Sequence, residues 1–146
     1  MHKPSEIRIL ALGIIRQGDR IFISEGYDPV KQQTFYRAMG GGVEFGETSR
    51  AALQREFQEE IQAELNNIKY LGCQENLFTF NGLPGHEILF VYQCDFVDHK
   101  FYQLKEINFV EGKRKKRALW VEIERFKSGE FKLVPEQFLE YFSLTA

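Results

Sequence analysis

Residues 40 to 65, GGGVEFGETSRAALQREFQEEIQAEL, constrain this chain more than any other stretch. Glycines lead into a segment in which apolar residues and glutamates recur with a helical period. At about 100° per residue, Leu53, Phe57 and Ile61 span an arc of roughly 80°, and Glu56, Glu59 and Glu60 fill an adjoining arc of about 100°. The spacing predicts a helix over 49–61, with Thr48 or Ser49 as N-cap. Its apolar stripe requires a sheet to lie on. Its acidic stripe is a different matter, because like charges one turn apart repel. A solvated acidic face is one resolution. A hard cation is the other, since Mg²⁺ and Mn²⁺ prefer carboxylate oxygens and tolerate several together. Glycines 40 to 42 let a backbone approach a metal or phosphate with no Cβ in the way, and Arg55 is placed to pair with Glu47 or Glu56.

The rest of the chain supplies the sheet. Ile7 to Arg16 and Arg20 to Glu25 are apolar, β-branched runs around Gly18-Asp19, the chemistry of a tight hairpin turn. Residues 34 to 39 read as a strand entering the glycines, and 68 to 80 as one or two strands. Asn81-Gly82 with Pro84-Gly85 reads as a loop, and residues 87 to 96 are apolar enough for a central strand. Ala118 to Ile123 is a short strand, and Pro135 to Phe142 a closing helix with proline in its first turn. Strands on both sides of one central helix, with a second helix at the end, mean a mixed sheet packed between helices.

The glycine-to-glutamate segment resembles the signature of the Nudix hydrolase family. That signature runs Gly, five residues, Glu, seven residues, Arg-Glu, an apolar residue, any residue, Glu-Glu, any residue, Gly and an apolar residue. Gly41, Glu47, Arg55, Glu56, Glu59 and Glu60 stand at the required places, with Phe57 in the apolar one. Gln62 replaces the family glycine near the helix end, and Ala63 fills the last position. A left-handed Gln costs about 1 kcal/mol. Either Gln62 bears that strain, or the helix runs on toward Asn66-Asn67.

The resemblance implies an α/β fold, an α/β/α sandwich with a mixed β-sheet, over residues 1–146 as one domain. It implies cleavage of a diphosphate by water with Mg²⁺ or Mn²⁺. The metals would be held by Glu56, Glu59, Glu60 and the Gly40 carbonyl. Glu47 and Arg55 would orient the helix carboxylates, and Glu56 or a residue outside the motif would be the base. A fourth carboxylate from a distant segment is expected, with Glu111 and then Glu87 as candidates. Arg37, Gly41, Gly42 and Glu87 are the candidate substrate contacts, and Tyr27, Phe35 or Tyr36 could stack on a base. The substrate is expected to be a small nucleoside diphosphate derivative, with a capped RNA or a non-catalytic nucleotide-binding module as the alternatives.

Composition narrows the setting. A net charge of −2 gives no general attraction to nucleic acid or membrane. The basic run KRKKR at 113–117 reads as a solvated loop, with a phosphate clamp as its functional alternative. The longest apolar run, Ile9 to Ile15, is far below the roughly 18 residues that span a bilayer, and with Pro4 and Glu6 before it and Arg16 after it reads as a strand rather than a leader. Cys73 and Cys94 lack metal-ligand spacing and read as reduced, mostly buried thiols of a cytoplasmic protein, a monomer or homodimer. His2, His86 and His99 carry no expected role.

Overall fold

The fold begins with the hairpin that the Gly18-Asp19 pair predicts: β1 (Ile7–Gln17) turns into β2 (Arg20–Asp28), with Gly18 at φ 61°. A computed structural model describes residues 5–143, so His2 lies outside the described residues. The strands β3 (Gln33–Arg37) and β4 (Met39–Gly42) follow, then helix α1 (Ser49–Ile61). A long hairpin, β5 (Leu65–Phe80) and β6 (Leu83–Phe96), leads to the short α2 (Lys100–Gln103). A second hairpin, β7 (Glu106–Glu111) and β8 (Arg114–Glu122), precedes α3 (Ile123–Lys127) and α4 (Phe138–Phe142).

The strand order is β5-β6-β1-β2-β8-β7, with β4 pairing β1 and β3 pairing β2. Only β1 with β6 is parallel among the named pairs, so the sheet is mixed. β1 contacts β2 only near the turn, at Ile15 to Gln17, and takes β4 as partner from Leu10 to Gly13. β2 likewise takes β3 from Ser24 onward. The two halves of the sheet part there, and a cleft opens between them.

Both faces of β1 are covered, as its unbroken apolar run requires. Ala11 and Ile15 join a core with Leu53, Phe57 and Ile61 of α1 and Phe101 of α2. Leu10, Leu12 and Ile14 point into the opposite core, with Phe126, Phe138 and Phe142 of α3 and α4. The expected α/β/α layering is therefore present. Gly13 brings α1 close, since a Cβ there would meet Leu53 and Phe57 at 3.2 and 3.3 Å.

Helix α1 has its expected bounds, and the Thr48 hydroxyl accepts from the Ala51 N–H as N-cap. Gln62 ends it in the left-handed region at φ 52°, so this residue bears the strain that a glycine would avoid.

Five expectations are corrected. Residues 34–39 divide into β3 and β4 rather than forming one strand. Asn81-Gly82 alone makes the turn between β5 and β6, while Pro84 and Gly85 belong to β6 and pair with Thr79 and Phe78. The basic run is not a loop: after the turn at Gly112, residues 114–117 form the start of β8, paired residue for residue with β7. The closing helix spans only Phe138–Phe142. Cys94 is buried as expected, but Cys73 is exposed; both are free.

Candidate active site

Strand β4 and helix α1 meet where the glycines pass beneath the acidic stripe. A Cβ on Gly41 would strike the Glu56 carboxyl group, so a side chain there would push that carboxylate from its place beside Arg55. Gly40 has φ 151°, and a Cβ there would strike the Ala11 carbonyl oxygen. Gly40 and Gly41 thus sit under close contacts, whereas a Cβ on Gly42 would meet only the tip of Arg8.

Arg55 organises one side of the site. Its Nε donates to Glu47 Oε2 at 2.8 Å, and its Nη2 to Glu47 Oε1 at 3.0 Å and to the Gly42 carbonyl at 2.8 Å. Nη1 reaches Glu56 at 3.1 Å and Glu59 at 3.4 Å. Glu47 also accepts the Glu44 N–H, which ties the loop before α1 to the same group. The Arg55 hydrogen bonds hold the Glu47 carboxyl below its ordinary pKa. Glu56 is raised instead, because burial outweighs the help of Arg55 and because Glu59 and Glu111 lie within electrostatic reach.

Glu60 and Glu111 form the other side. Glu111 ends β7, one residue before the Gly112 turn, and hydrogen-bonds Glu60. Burial first, and then the charge of Glu111, push the Glu60 carboxyl up to about 9. Burial would also raise Glu111, but Lys116, whose Nζ lies 3.5 Å away, and the hydrogen bond from Glu60 keep it low. Two like charges this close repel, and the pair is pushed toward sharing a proton.

The donor set is all oxygen, acidic and short of cations, which is what Mg²⁺ or Mn²⁺ takes. Among the described residues no three of these groups converge on one point as they stand. Arg55 draws Glu56 and Glu59 toward itself, and the shared proton draws Glu60 toward Glu111. A cation would displace those two interactions.

Glu60 and Glu111 stand at the end of a cleft of about 440 Å³ that also touches Gly40 and Gly41, within the range for small-molecule sites of roughly 300–1,000 Å³. At its floor Arg37 grips Glu87 with two hydrogen bonds, of 2.6 and 3.2 Å, and Asn76 adds a third at 3.1 Å. Glu87 is 2% exposed and lies in a central strand, not at a sheet edge; its charge is fully engaged and remote from a free-ligand role. Phe35 lines the cleft. Tyr36 does not: it stacks on Phe131 at 4.6 Å within the core and donates to Glu25. Tyr27 is exposed beside a second, shallower depression, and His86 sits within β6.

Sequence reasoning did not single out Asn76, Phe78, Phe80 or Lys31, all of which line the cleft, and it named Arg114 only within the basic run's phosphate-clamp alternative. A signal existed for three of them. Residues 76, 78 and 80 alternate along β5 and so share one face, opposite Glu87, Gly85 and Leu83 of β6.

A family model for the NUDIX domain matches residues 6–142. The chain belongs to the NUDIX domain family. Solved structures agree on the fold. A NUDIX hydrolase from Nitrosomonas europaea is 18% identical with a TM-score of 0.67, covering 95% of this chain and 90% of that one. The ORF135 protein of E. coli is 20% identical with a TM-score of 0.60 and the same coverage. The MutT NUDIX hydrolase of Burkholderia pseudomallei is 22% identical with a TM-score of 0.61, covering 82% of this chain and 86% of that one. In sequence, the NAD-capped RNA hydrolase NudC of Pseudomonas syringae pv. tomato is 33% identical over 61 residues, 42% of this chain. The match spans 21% of that relative's length. No helix of the described residues is long and apolar enough to cross a membrane.

Proposed function

We propose that this chain hydrolyses the diphosphate bond of a small nucleoside diphosphate derivative, with Mg²⁺ or Mn²⁺ required. The observation that carries the reading is the pair Glu60 and Glu111, two hydrogen-bonded carboxylates from α1 and β7 that meet in a nucleotide-sized cleft also lined by Gly40 and Gly41. Glu56, Glu59 and Glu60 would hold the cation, with Glu111 and the Gly40 carbonyl as further ligands. Once bound, it would offset charge on the diphosphate oxygens and acidify a water.

The chain's own residues supply the rest. Arg55 anchors Glu47 and the loop before α1, so the helix carboxylates keep their place against the glycine strand. Glu56, raised by burial, takes the proton of the attacking water as its oxygen adds to one phosphorus. The bond from that phosphorus to the bridging oxygen breaks, and the second phosphate leaves with the electron pair. Arg8 and Lys116 line the cleft and meet the phosphate oxygens. Two free cysteines suit a cytoplasmic setting.

A capped RNA is the second reading. The likeness to NudC favours it, as does a depression lined by Arg114, Lys115, Lys116 and Arg117 that adjoins the cleft at Phe35 and Phe80. A panel of nucleoside diphosphate derivatives, NAD and NAD-capped RNA, assayed with Mg²⁺, with Mn²⁺ and in excess chelator, tests both. The reading requires metal-dependent turnover of a small derivative. Turnover that persists in chelator contradicts it, and turnover of the capped RNA alone transfers the case to the second reading.

A further inference from the structure

Asn76 and Glu87 face each other directly across β5 and β6. The Glu87 carboxylate, gripped by Arg37, can only accept, so the Asn76 amide must turn its nitrogen toward it. That contact uses one N–H and fixes the plane of the amide. The second N–H and the carbonyl oxygen have no protein partner among the described residues, nor are they sealed from solvent, and Asn76 lines the cleft. A donor and an acceptor, side by side and held rigid, are thus offered to whatever enters.

Two aromatic rings share the cleft with this amide, and the same device seats both. Phe35 stands opposite Gly26, and Phe78 opposite Gly85. A Cβ on Gly26 would come within 2.4 Å of the Phe35 ring, and one on Gly85 within 2.1 Å of Phe78. Each ring therefore lies across a glycine, in the space a side chain would fill, and both line the cleft. Phe80 also lines the cleft, in an edge-to-face pair with Phe35 at 5.9 Å and with the Arg114 guanidinium over it at 5.4 Å.

We propose that Asn76 reads the edge of a nucleobase that carries an amino donor beside a ring-nitrogen acceptor, adenine first, while Phe35 and Phe78 supply faces for the ring. Flat apolar faces recognise any base, so discrimination falls to the amide. An Asn amide pairs in two places with adenine, accepting from N6 and donating to N7, whereas guanine offers two acceptors on that edge. Glu87 and Arg37 act as positioning residues, since they orient the amide without touching the base. The inference rests on the proposed function for the ligand being a nucleotide and adds which part of the chain chooses it.

The test is binding of AMP, GMP and purine riboside 5′-monophosphate, which keeps the purine ring but lacks the amino group, measured by calorimetry in Mg²⁺ buffer. None has a diphosphate bond to lose. The parent is expected to bind AMP at least about tenfold more tightly than the analogue or GMP. Asn76→Leu should erase that ratio, and Phe78→Leu should weaken AMP and the analogue together while keeping it. Equal binding of AMP and the analogue by the parent overturns the proposal without any variant, as do tighter binding of GMP, failure to bind any of the three, or a ratio that survives in Asn76→Leu. Diphosphate hydrolysis measured in parallel separates the two readings. Turnover without base preference removes the base site and leaves the hydrolase. A base preference that depends on Asn76, without turnover of any diphosphate, does the reverse.

Discussion

Glu87 and Glu60 share one cleft, and the fold treats their charges in opposite ways. Glu87 is matched within the chain: Arg37 and Asn76 give it three hydrogen bonds, and it stands 2% exposed without any need of an outside charge. Glu60 meets another carboxylate, Glu111, and the pair keeps a proton well above the ordinary carboxylate range. A chain able to bury one carboxylate with a matched cation has left the second without one. On the proposed function, the difference separates a group finished by folding from one left for a ligand.

The largest effect should come from breaking the unfinished end. Glu59→Gln and Glu60→Gln should each lower turnover on the order of a thousandfold, as several kcal/mol of metal-borne charge stabilisation is lost. Both proteins should keep their fold, seen in an unchanged far-ultraviolet circular dichroism spectrum, and removal of acidic repulsion should if anything stabilise the metal-free chain.

Breaking the finished end should cost stability instead. Glu87→Met strands the Arg37 guanidinium, which is 24% exposed, so a loss near the lower end for buried pairs, about 3 kcal/mol, is expected in urea denaturation. The double variant Arg37→Met with Glu87→Met should recover most of it, since neither charge is then left alone. A double variant as unstable as the single one would show that the pair is not what holds this floor together.

pH sharpens the comparison further. Glu60 titrates at its ordinary 4.5 when unfolded and is raised to about 9 when folded. Between those values the folded metal-free chain holds a proton that the unfolded chain has lost. The contribution is complete below pH 4.5 and falls as pH rises toward 9. Glu111, held low by Lys116 and Glu60 against the opposing effect of burial, contributes stability above its unfolded pKa and loses it only as pH falls further. In excess chelator the melting temperature should therefore decline from pH 5 to 9. Glu60→Gln should flatten the decline, and so should saturating Mg²⁺, which replaces the proton.

How far the sequence carried the fold follows the same division between local and distant causes. Helix α1 was legible over 49–61, with its cap left between Thr48 and Ser49 and its end between Gln62 and Asn66-Asn67, because its period and its acidic stripe are local. The β1–β2 hairpin was legible for the same reason, through Gly18-Asp19. Strand β7 and the basic start of β8 were not: EINFVE is short and ends on a glutamate at each side, RKKR is an unbroken run of charge, and only their pairing with each other, and of Arg117 with β2, makes strands of them. The motif carboxylates could be placed in advance, since their spacing is fixed. Arg37 and Glu87 each appeared as a candidate contact, but nothing local says that they grip one another across 50 residues of chain. Asn76 was missed because a lone Asn in a strand has no meaning until its partner strand is known.

The smallest effect concerns the basic run. Arg117 pairs with Glu25 and Glu106, and Lys116 with Glu111, so two of its cations are already engaged. Replacing Lys113 and Lys115 with Ser should leave KM for a small nucleotide derivative within about twofold and barely change its salt dependence. A KM that rises several-fold and loses its salt dependence would add these two side chains to the substrate site.

Mn²⁺ binding tests the central claim most directly, because it reports on the unfinished end without requiring the substrate to be known. Titrated with protein at pH 7, the sharp electron paramagnetic resonance signal of free Mn²⁺ should diminish with the parent and with Glu87→Met, and should persist with Glu60→Gln. A parent that leaves the free-ion signal intact, or a Glu60→Gln variant that removes it as well as the parent does, would contradict the assignment of this end of the cleft to a metal.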